Sequence, residues 1–307
     1  MTEIDPADLP LVLTEPYSVI ENVEIDGTHA DPACAFAILF RADHCTVRNV
    51  HVKKMPRLGI GARGVNYTLI ERAHVENCVK QGIWNEITCD GSVVQDCQVF
   101  NSGLDNIHFA GKNGTVTRCT AAGAGNGRPN CAGIYMGANS RNTSVRGNVC
   151  FGNGTGIDVS WGFQDLPIQI SGNDISEGMI VQGNHCNNNN ACGIACASNG
   201  AIIADNQCFD NGPGSEGRPS SGIGLVNADN CIVTGNVCAN SAPDGQSQAV
   251  GLVFSVFGAS SNISRNCIVT NNHFERNAQY PTAMYFALHL SPVPTTLGNI
   301  FIGNFGA

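Results

Sequence analysis

Apolar and polar residues alternate in short runs along almost the whole chain, and small turn-forming residues separate these runs. In residues 222–240, "GIGLVNADNCIVTGNVCAN", aliphatic residues or cysteine return at every second position of each run. A period of two residues is typical of β-strands, and the intervening Gly, Asn and Asp residues favour tight turns. The pattern predicts three short strands here, at residues 222–226, 231–234 and 237–239.

The same pattern recurs along the chain. Segments that open with Gly, or a substitute, followed by an aliphatic residue begin at positions 36, 59, 82, 106, 133, 156, 193, 222, 251 and 285. The starts are closest together from position 36 to 59, from 59 to 82 and from 133 to 156, and they are furthest apart from 156 to 193. A three-strand unit that repeats without a break predicts one elongated all-β domain of stacked coils rather than two separate domains.

Two internal columns follow from aligning the copies. An asparagine at the corner of each later coil can hydrogen-bond its equivalent in the next coil through the side-chain amide. The predicted asparagine ladder contains Asn148, Asn184, Asn206, Asn236, Asn272 and Asn304. Two positions further on, the alignment predicts a stack of inward thiols formed by Cys150, Cys186, Cys208 and Cys238. We expect free thiols, because the total of 15 cysteines is odd and no export signal precedes them.

These features together resemble the right-handed parallel β-helix of the pectate lyase-like superfamily. The resemblance rests on the G-I-x-φ-x first strand, the I-V-x-G-N corner and the short minimum coil, such as the one that starts at position 36 and ends before position 59. It implies a single-domain right-handed parallel β-helix of about ten coils at residues 17–307, after an N-terminal cap or lead-in at residues 1–16.

The resemblance does not by itself decide the function. The fold hosts lyases, hydrolases, epimerases, phage tailspikes and adhesins. The chain lacks the Asp-Pro-His-Asp/Glu motif of alginate epimerases and the Asp-Asp, Gly-His-Gly and Arg-Ile-Lys motifs of polygalacturonases. No catalytic residue is therefore transferred from those families.

Candidate chemistry lies on the outer face of the sheet that the first strands form. Alternation along the strands turns one column of residues outward, with successive members about 4.8 Å apart. In coils three to seven this column contains Trp84, His108, Tyr135 and Asp158. The alignment places Ile38 and Ala287 at the two ends of this column. A second outward column beside it includes Arg63 and Glu86.

We predict four catalytic residues, which are His108, Tyr135, Asp158 and Arg63. A His and Tyr pair can remove and return a proton at a carbon that an adjacent carboxylate makes acidic, and Arg63 can neutralise the charge that develops. Two long loops, at residues 123–131 and 161–178, border this face. The predicted substrate-binding residues are Trp84, Glu86, Asp105, Arg128 and Trp161.

The residue types favour a lyase or an isomerase acting on a carbohydrate or a similar polar substrate. Glu86 and Asp158 are three coils apart, roughly 14 Å, whereas the two carboxylates of hydrolases are ~5–9.5 Å apart. Asp105 would shorten that distance, so hydrolysis stays open. The alternatives are a cytosolic isomerase or cyclase for a small metabolite, and a non-catalytic glycan-binding module of a virion or surface fibre.

Charge and apolar surface limit the partners. A formal net charge of −9 and a pI near 5.3 argue against nucleic acid and anionic membranes. The acidic N-terminal segment does not look like a signal peptide, so we expect a cytoplasmic protein. A homo-oligomer is predicted because four outward positions of the later coils are apolar, namely Ala195, Ala197, Val226 and Val253.

No metal ion or other cofactor is predicted. Four histidines share one outward column of the third strands, but other residues interrupt it, and imidazoles several coils apart cannot chelate one ion. They are His51, His74, His185 and His273. Calcium is an alternative, because Asp165, Asp174 and Glu177 lie in or at the end of the second long loop.

Overall fold

The computed structural model describes residues 1–5, 9–86, 88–127, 131–137, 140–159, 176–212, 221–241, 248–255, 264–275, 284–286 and 298–305. Its strands form three parallel sheets of eleven strands each. Apart from the end strands of each sheet, every strand pairs with the equivalent strand of the coil before and the coil after, so the chain winds through the three sheets in turn. The predicted parallel β-helix with three short strands per coil is confirmed.

The first sheet carries the candidate site. Its strands are Leu11–Leu13, Phe36–Phe40, Leu58–Ala62, Ile83–Asn85, Ile107–Phe109, Ala132–Met136, Thr155–Val159, Cys192–Cys196, Ser221–Val226, Val250–Ser255 and Met284–Phe286. The second sheet contains Val19–Glu21, Thr46–Arg48, Leu69–Glu71, Val93–Gln95, Thr115–Thr117, Ser144–Arg146, Ile180–Gln182, Ile202–Ala204, Ile232–Thr234, Ile268–Thr270 and Ile300–Ile302. The third sheet contains Thr2–Ile4, Val23–Asp26, His51–Lys53, His74–Glu76, Gln98–Phe100, Thr120–Ala122, Val149–Phe151, His185–Asn187, Gln207–Phe209, Val237–Ala239 and His273–Glu275.

Among the described residues, helical structure is confined to two short 3-10 helices, Gly27–His29 and Ala124–Gly127. Within the described part of the chain, no helix is long and apolar enough to cross a membrane. The pairing of strands begins early, because Thr2–Ile4 pairs with the strand Val23–Asp26 and Leu11–Leu13 pairs with Phe36–Phe40.

The strand register corrects the outward column at both of its ends. Ile38 pairs with the buried Ile60, and it is Leu39 that pairs with Gly61 in the outward column. No glycine marks the start of the strand in "AFAILF", so the alignment began one residue early, and a shift of one residue exchanges the two faces. At the far end, Val253 pairs with Tyr285 rather than with Ala287.

The core is a column of aliphatic side chains inside the coils. Each residue of the column pairs with its equivalent one coil away and is fully buried. It includes Ile60, Ile83, Ile107, Ile134, Ile157, Ile194, Ile223 and Leu252. Burying an isoleucine side chain stabilises the fold by about 1.5–3 kcal/mol, so the stack holds successive coils in register.

The thiol stack is also confirmed. Cys150, Cys186, Cys208 and Cys238 pair in register on adjacent strands and are fully buried. All 15 cysteines are free thiols. Contact with the Cys150 thiol and burial raise the pKa of Cys186 well above its usual value. Burial, followed by contact with the Cys208 thiol, raises the pKa of Cys238 in the same way, so these groups stay protonated and act as core residues.

The asparagine ladder has the predicted hydrogen bonds. The Asn148 side-chain Nδ2 donates to Asn184 Oδ1 at 3.0 Å, and Asn184 Nδ2 donates to Asn206 Oδ1 at 2.9 Å. The same link runs onward through Asn236 and Asn272. A second ladder was not predicted, and it connects Asn106, Asn153, Asn189, Asn211 and Gln248. Both ladders supply buried backbone groups with partners at the corners of the coils.

Candidate functional site

The strand register brings four of the predicted residues into one column. Trp84 pairs with His108, His108 with Tyr135, and Tyr135 with Asp158 on successive strands of the first sheet. Ala195 follows Asp158 on the next strand. The order of the outward column in coils three to seven is therefore as the alignment predicts.

His108 has a carboxylate partner at the start of its own strand. Its Nδ1 lies 3.2 Å from Asp105 Oδ2, and the Asp105 side chain is almost completely buried. The other oxygen, Oδ1, accepts a hydrogen bond from the Ala132 backbone N–H at 2.8 Å. An ionised carboxylate only accepts hydrogen bonds, so it places the imidazole proton on Nδ1 and leaves a lone pair on Nε2. Asp105 thus holds the histidine in place, and its predicted role in substrate binding stays a prediction.

Tyr135 lies against the imidazole, with ring centroids 4.7 Å apart and ring planes inclined at 44°. A Cβ atom at Gly137 would stand 3.3 Å from His108 Nε2 and 3.4 Å from Tyr135 Cε1. Because glycine has no side chain, position 137 places no atom against these edges of the two rings. A nitrogen with a free lone pair beside a phenol ring is an arrangement suited to proton transfer.

The site is less open than the outward pattern predicts. The His108 side chain retains 16% of its exposure, whereas Tyr135 is 6% exposed and Asp158 is 4% exposed. Although the alternation turns Tyr135 and Asp158 outward, both side chains are buried within the single chain. A partly buried site strengthens electrostatic interactions, since the surrounding dielectric is lower than that of water.

Trp84 belongs to an aromatic patch that the sequence pattern did not reveal. The Phe36 ring lies over Gly61, where a Cβ atom would come within 2.2 Å of it. This position brings the Phe36 and Trp84 ring centroids to 6.0 Å. The alignment missed Phe36 because it had assigned this residue to the glycine position that opens the coil. Flat apolar faces of this kind can stack on sugar rings.

Arg63 and Glu86 meet just beyond the ends of their strands. Arg63 Nε lies 3.3 Å from Glu86 Oε1, and the two side chains are 56% and 24% exposed. The predicted cation therefore already has an anionic neighbour. Because the pair is largely in solvent, it is weak, and an incoming carboxylate can compete for Arg63.

The remaining predicted residues are Arg128 and Trp161 of the substrate-binding set and Asp165, Asp174 and Glu177 of the calcium alternative. Arg128, Trp161, Asp165 and Asp174 lie outside the described residues. Glu177 forms an isolated β-bridge between Arg141 and Asn199. The calcium alternative is left with this one described carboxylate, and it stays untested.

Several solved structures share this fold. The A-module of Azotobacter vinelandii mannuronan C-5 epimerase AlgE4 is 15% identical, with a TM-score of 0.68 over 96% of this chain and 83% of that chain. The periplasmic alginate epimerase AlgG is 12% identical, with a TM-score of 0.66 over 94% and 68%. The Dettilon tailspike protein gp208 is 14% identical, with a TM-score of 0.62 over 95% and 60%. Identities this low indicate a common fold alone.

The sequence comparisons give the family. No curated protein matches the chain significantly. The family model described as "Right handed beta helix region" matches residues 12–175. This match spans more than half of the 307 residues and agrees with the three-sheet architecture. The chain therefore belongs to the right-handed β-helix family.

Proposed function

We propose that the chain is a lyase or isomerase that uses His108 and Tyr135 for acid–base chemistry on a carbohydrate or similar anionic substrate. The observation that carries the proposal is the buried Asp105 carboxylate on His108 Nδ1, which leaves Nε2 free to accept a proton. A carboxylate so placed also stabilises the imidazolium that forms. The two alginate epimerases and the tailspike of the same fold support a carbohydrate-related role.

In this mechanism His108 Nε2 removes the proton from the carbon next to a substrate carboxylate. The C–H bond breaks, and its electron pair moves into the carboxylate. Return of a proton from the Tyr135 hydroxyl to the opposite face completes an epimerisation, whereas expulsion of a β-oxygen, which takes its proton from the same hydroxyl, completes an elimination. Proton exchange with water then restores the neutral imidazole and the phenol. Arg63 would bind the substrate carboxylate in place of Glu86, and the Trp84 and Phe36 rings would hold the flat face of the sugar.

The reaction is testable with uronate oligosaccharides in deuterated water. An epimerisation should introduce deuterium into the product at the carbon beside the carboxylate, with mass spectrometry as the measurement, whereas an elimination leaves no hydrogen on that carbon. Ultraviolet absorbance of an unsaturated product would identify elimination, and its absence alongside deuterium incorporation would identify epimerisation. The small-metabolite alternative predicts exchange only with monomeric substrates. Glycan binding without exchange or absorbance would contradict the enzyme proposal and favour a fibre module.

The location and the assembly also remain proposals. We propose a cytoplasmic homo-oligomer, although Val253, one of the four positions behind that prediction, is fully buried within the single chain. A better surface for self-association is an isoleucine column on the outside of the second sheet, in which neighbouring residues pair in register. Its members Ile202, Ile232, Ile268 and Ile300 are between 37% and 48% exposed.

Contact between two such columns would remove this apolar surface from water. We therefore expect light scattering to report an oligomer and the variant Ile232→Lys to shift it towards the monomer, because a buried, unpaired ammonium group is unfavourable. Val149→Lys is the matched control, since Val149 is 38% exposed on the third sheet. A monomeric wild-type protein would contradict the proposal.

A further inference from the structure

Two imidazoles and a carboxylate converge on the outer face of the third sheet, away from the column that contains His108. The strands His51–Lys53 and His74–Glu76 are neighbours, and His51 pairs directly with His74. Their ring centroids are 4.7 Å apart and the rings meet edge to face. The expectation that histidines of this column lie several coils apart is wrong for this pair, because His51 and His74 are separated by a single coil.

The three candidate ligand atoms lie close to one another. Glu76 Oε1 lies 3.1 Å from His51 Nε2 and 3.9 Å from His74 Nε2. One ligand atom from each of the three residues falls within 4.8 Å of the others. Ligands at the ~2.0–2.1 Å bond lengths of a tetrahedral zinc ion are about 3.3 Å from each other, so small side-chain rotations would complete the geometry.

The other nitrogen of each ring faces an oxygen on a further strand. His51 Nδ1 lies 3.8 Å from Glu24 Oε1, and His74 Nδ1 lies 3.3 Å from Gln98 Oε1. The Gln98 contact favours the His74 tautomer in which Nε2 carries the lone pair. In the metal-free protein the His51 Nε2 donates to Glu76 Oε1 at 3.1 Å, so a bound ion would take the place of that proton. Metal-binding histidines in proteins typically have such an oxygen partner on the nitrogen that does not bind the ion.

We propose that His51, His74 and Glu76 bind a divalent transition metal ion, of which Zn²⁺ is the natural example. Two imidazole nitrogens and one carboxylate oxygen are ligands that suit Zn²⁺ and its neighbours, whereas Ca²⁺ and Mg²⁺ prefer oxygen alone. Three protein ligands leave the fourth position for water or a ligand group. The proposal is independent of the proposed acid–base function, since the two clusters lie on different sheets.

Two other histidines of the same column lack the full set of ligands and serve as comparisons for the proposed site. His185 has the Nδ1 contact with an amide, 3.3 Å from Gln207 Oε1, but Val149 occupies the position of the second imidazole and Asn187 that of the carboxylate. His273 has a carboxylate at 3.0 Å in Glu275, but its neighbour on the preceding strand is Val237. Only the strands of His51 and His74 combine two imidazoles with a carboxylate among the described residues of this column.

The proposal is tested by titrating the full chain, stripped of metal, with ZnCl₂ in a calorimeter. We expect the wild-type protein to bind one zinc ion. His51→Ala and His74→Ala should each lower the affinity by more than about 100-fold. Gln98→Ala should weaken binding by about 10–100-fold, because it removes the oxygen 3.3 Å from His74 Nδ1 that holds this ligand in place. His185→Ala is the matched control and should bind as the wild-type protein does. Equal affinity in the wild-type protein and the double variant His51→Ala/His74→Ala would overturn the proposal.

Two measurements on the wild-type protein keep the test valid should a variant fail to fold. Zn²⁺ should shift the imidazole NMR signals of His51 and His74 while those of His185 stay in place. Cobalt substitution should give an absorption spectrum without the thiolate bands that binding through the partly buried Cys34 would produce. Shifts at His185, or thiolate bands, would assign the ion elsewhere and overturn the proposal.

Discussion

His108→Ala and Tyr135→Phe should each lower turnover by about 10²–10⁴-fold, the usual loss for a positioned acid or base. His108→Ala removes the imidazole that carries the base, and Tyr135→Phe removes the hydroxyl while keeping the ring that packs at 4.7 Å against His108. Initial rates with the substrate identified by deuterium exchange are the measurement. Because Tyr135 is buried, the melting temperature of each variant has to be compared with that of the wild-type protein.

Asp105→Asn separates positioning from chemistry at the same site. The amide of asparagine can donate to Nδ1, which would favour the tautomer with its proton on Nε2 and remove the base. We expect kcat to fall with little change in KM, because Asp105 is buried behind the histidine. Trp84→Ala should do the opposite and raise KM, since its proposed contact is with the substrate ring.

The controls decide whether a loss belongs to the site. His185→Ala removes an imidazole of the third sheet and should leave turnover unchanged. Near-wild-type rates for both the His108 and Tyr135 variants would contradict the assignment. If activity falls only in proportion to the amount of folded protein, these residues have a structural role, and the catalytic assignment is likewise contradicted.

The repeat predicted the middle of the fold well because the glycine that opens each coil fixes which residues pair with those of the next coil. Its failures at Ile38 and Ala287 occur where no glycine opens the strand. Periodicity also cannot predict what covers an outer face, so the burial of Tyr135 and Asp158 was missed. The contact between Asp105 and His108 depends on the turn that precedes the strand. The conformation of this turn does not recur from coil to coil, so the repeat cannot predict it.

The second and third sheets show a different limit of prediction from the repeat. His51 and His74 were already aligned in one column, and their register alone places the two rings side by side. The column as a whole does not reveal the pair, because other residues interrupt its histidines. Both this cluster and the isoleucine column depend on pairs of residues on adjacent coils.

Asn206→Ala should destabilise the protein by about 2–6 kcal/mol, because it removes hydrogen bonds from two buried groups at ~1–3 kcal/mol each. Asn206 Oδ1 accepts from the Asn184 backbone N–H at 3.0 Å, and Asn206 Nδ2 donates to the Val181 carbonyl at 2.9 Å. Alanine can replace neither bond in a corner that is fully buried. Urea unfolding measures the loss, and Gln207→Ala, next in sequence and exposed, should stay within ~0.5 kcal/mol of the wild-type protein.

The early coils indicate which substitution should recover part of this loss. There the same corner position holds Cys97 and Cys119, whose thiols donate to the carbonyls of Ile70 and Val94 at 3.6 and 3.7 Å. A thiol thus takes over the role of the asparagine Nδ2, although as a weaker donor. Asn206→Cys should therefore destabilise the protein less than Asn206→Ala. Equal losses in the two variants would mean that burial, and not hydrogen bonding to the corner carbonyl, sets the stability of the ladder.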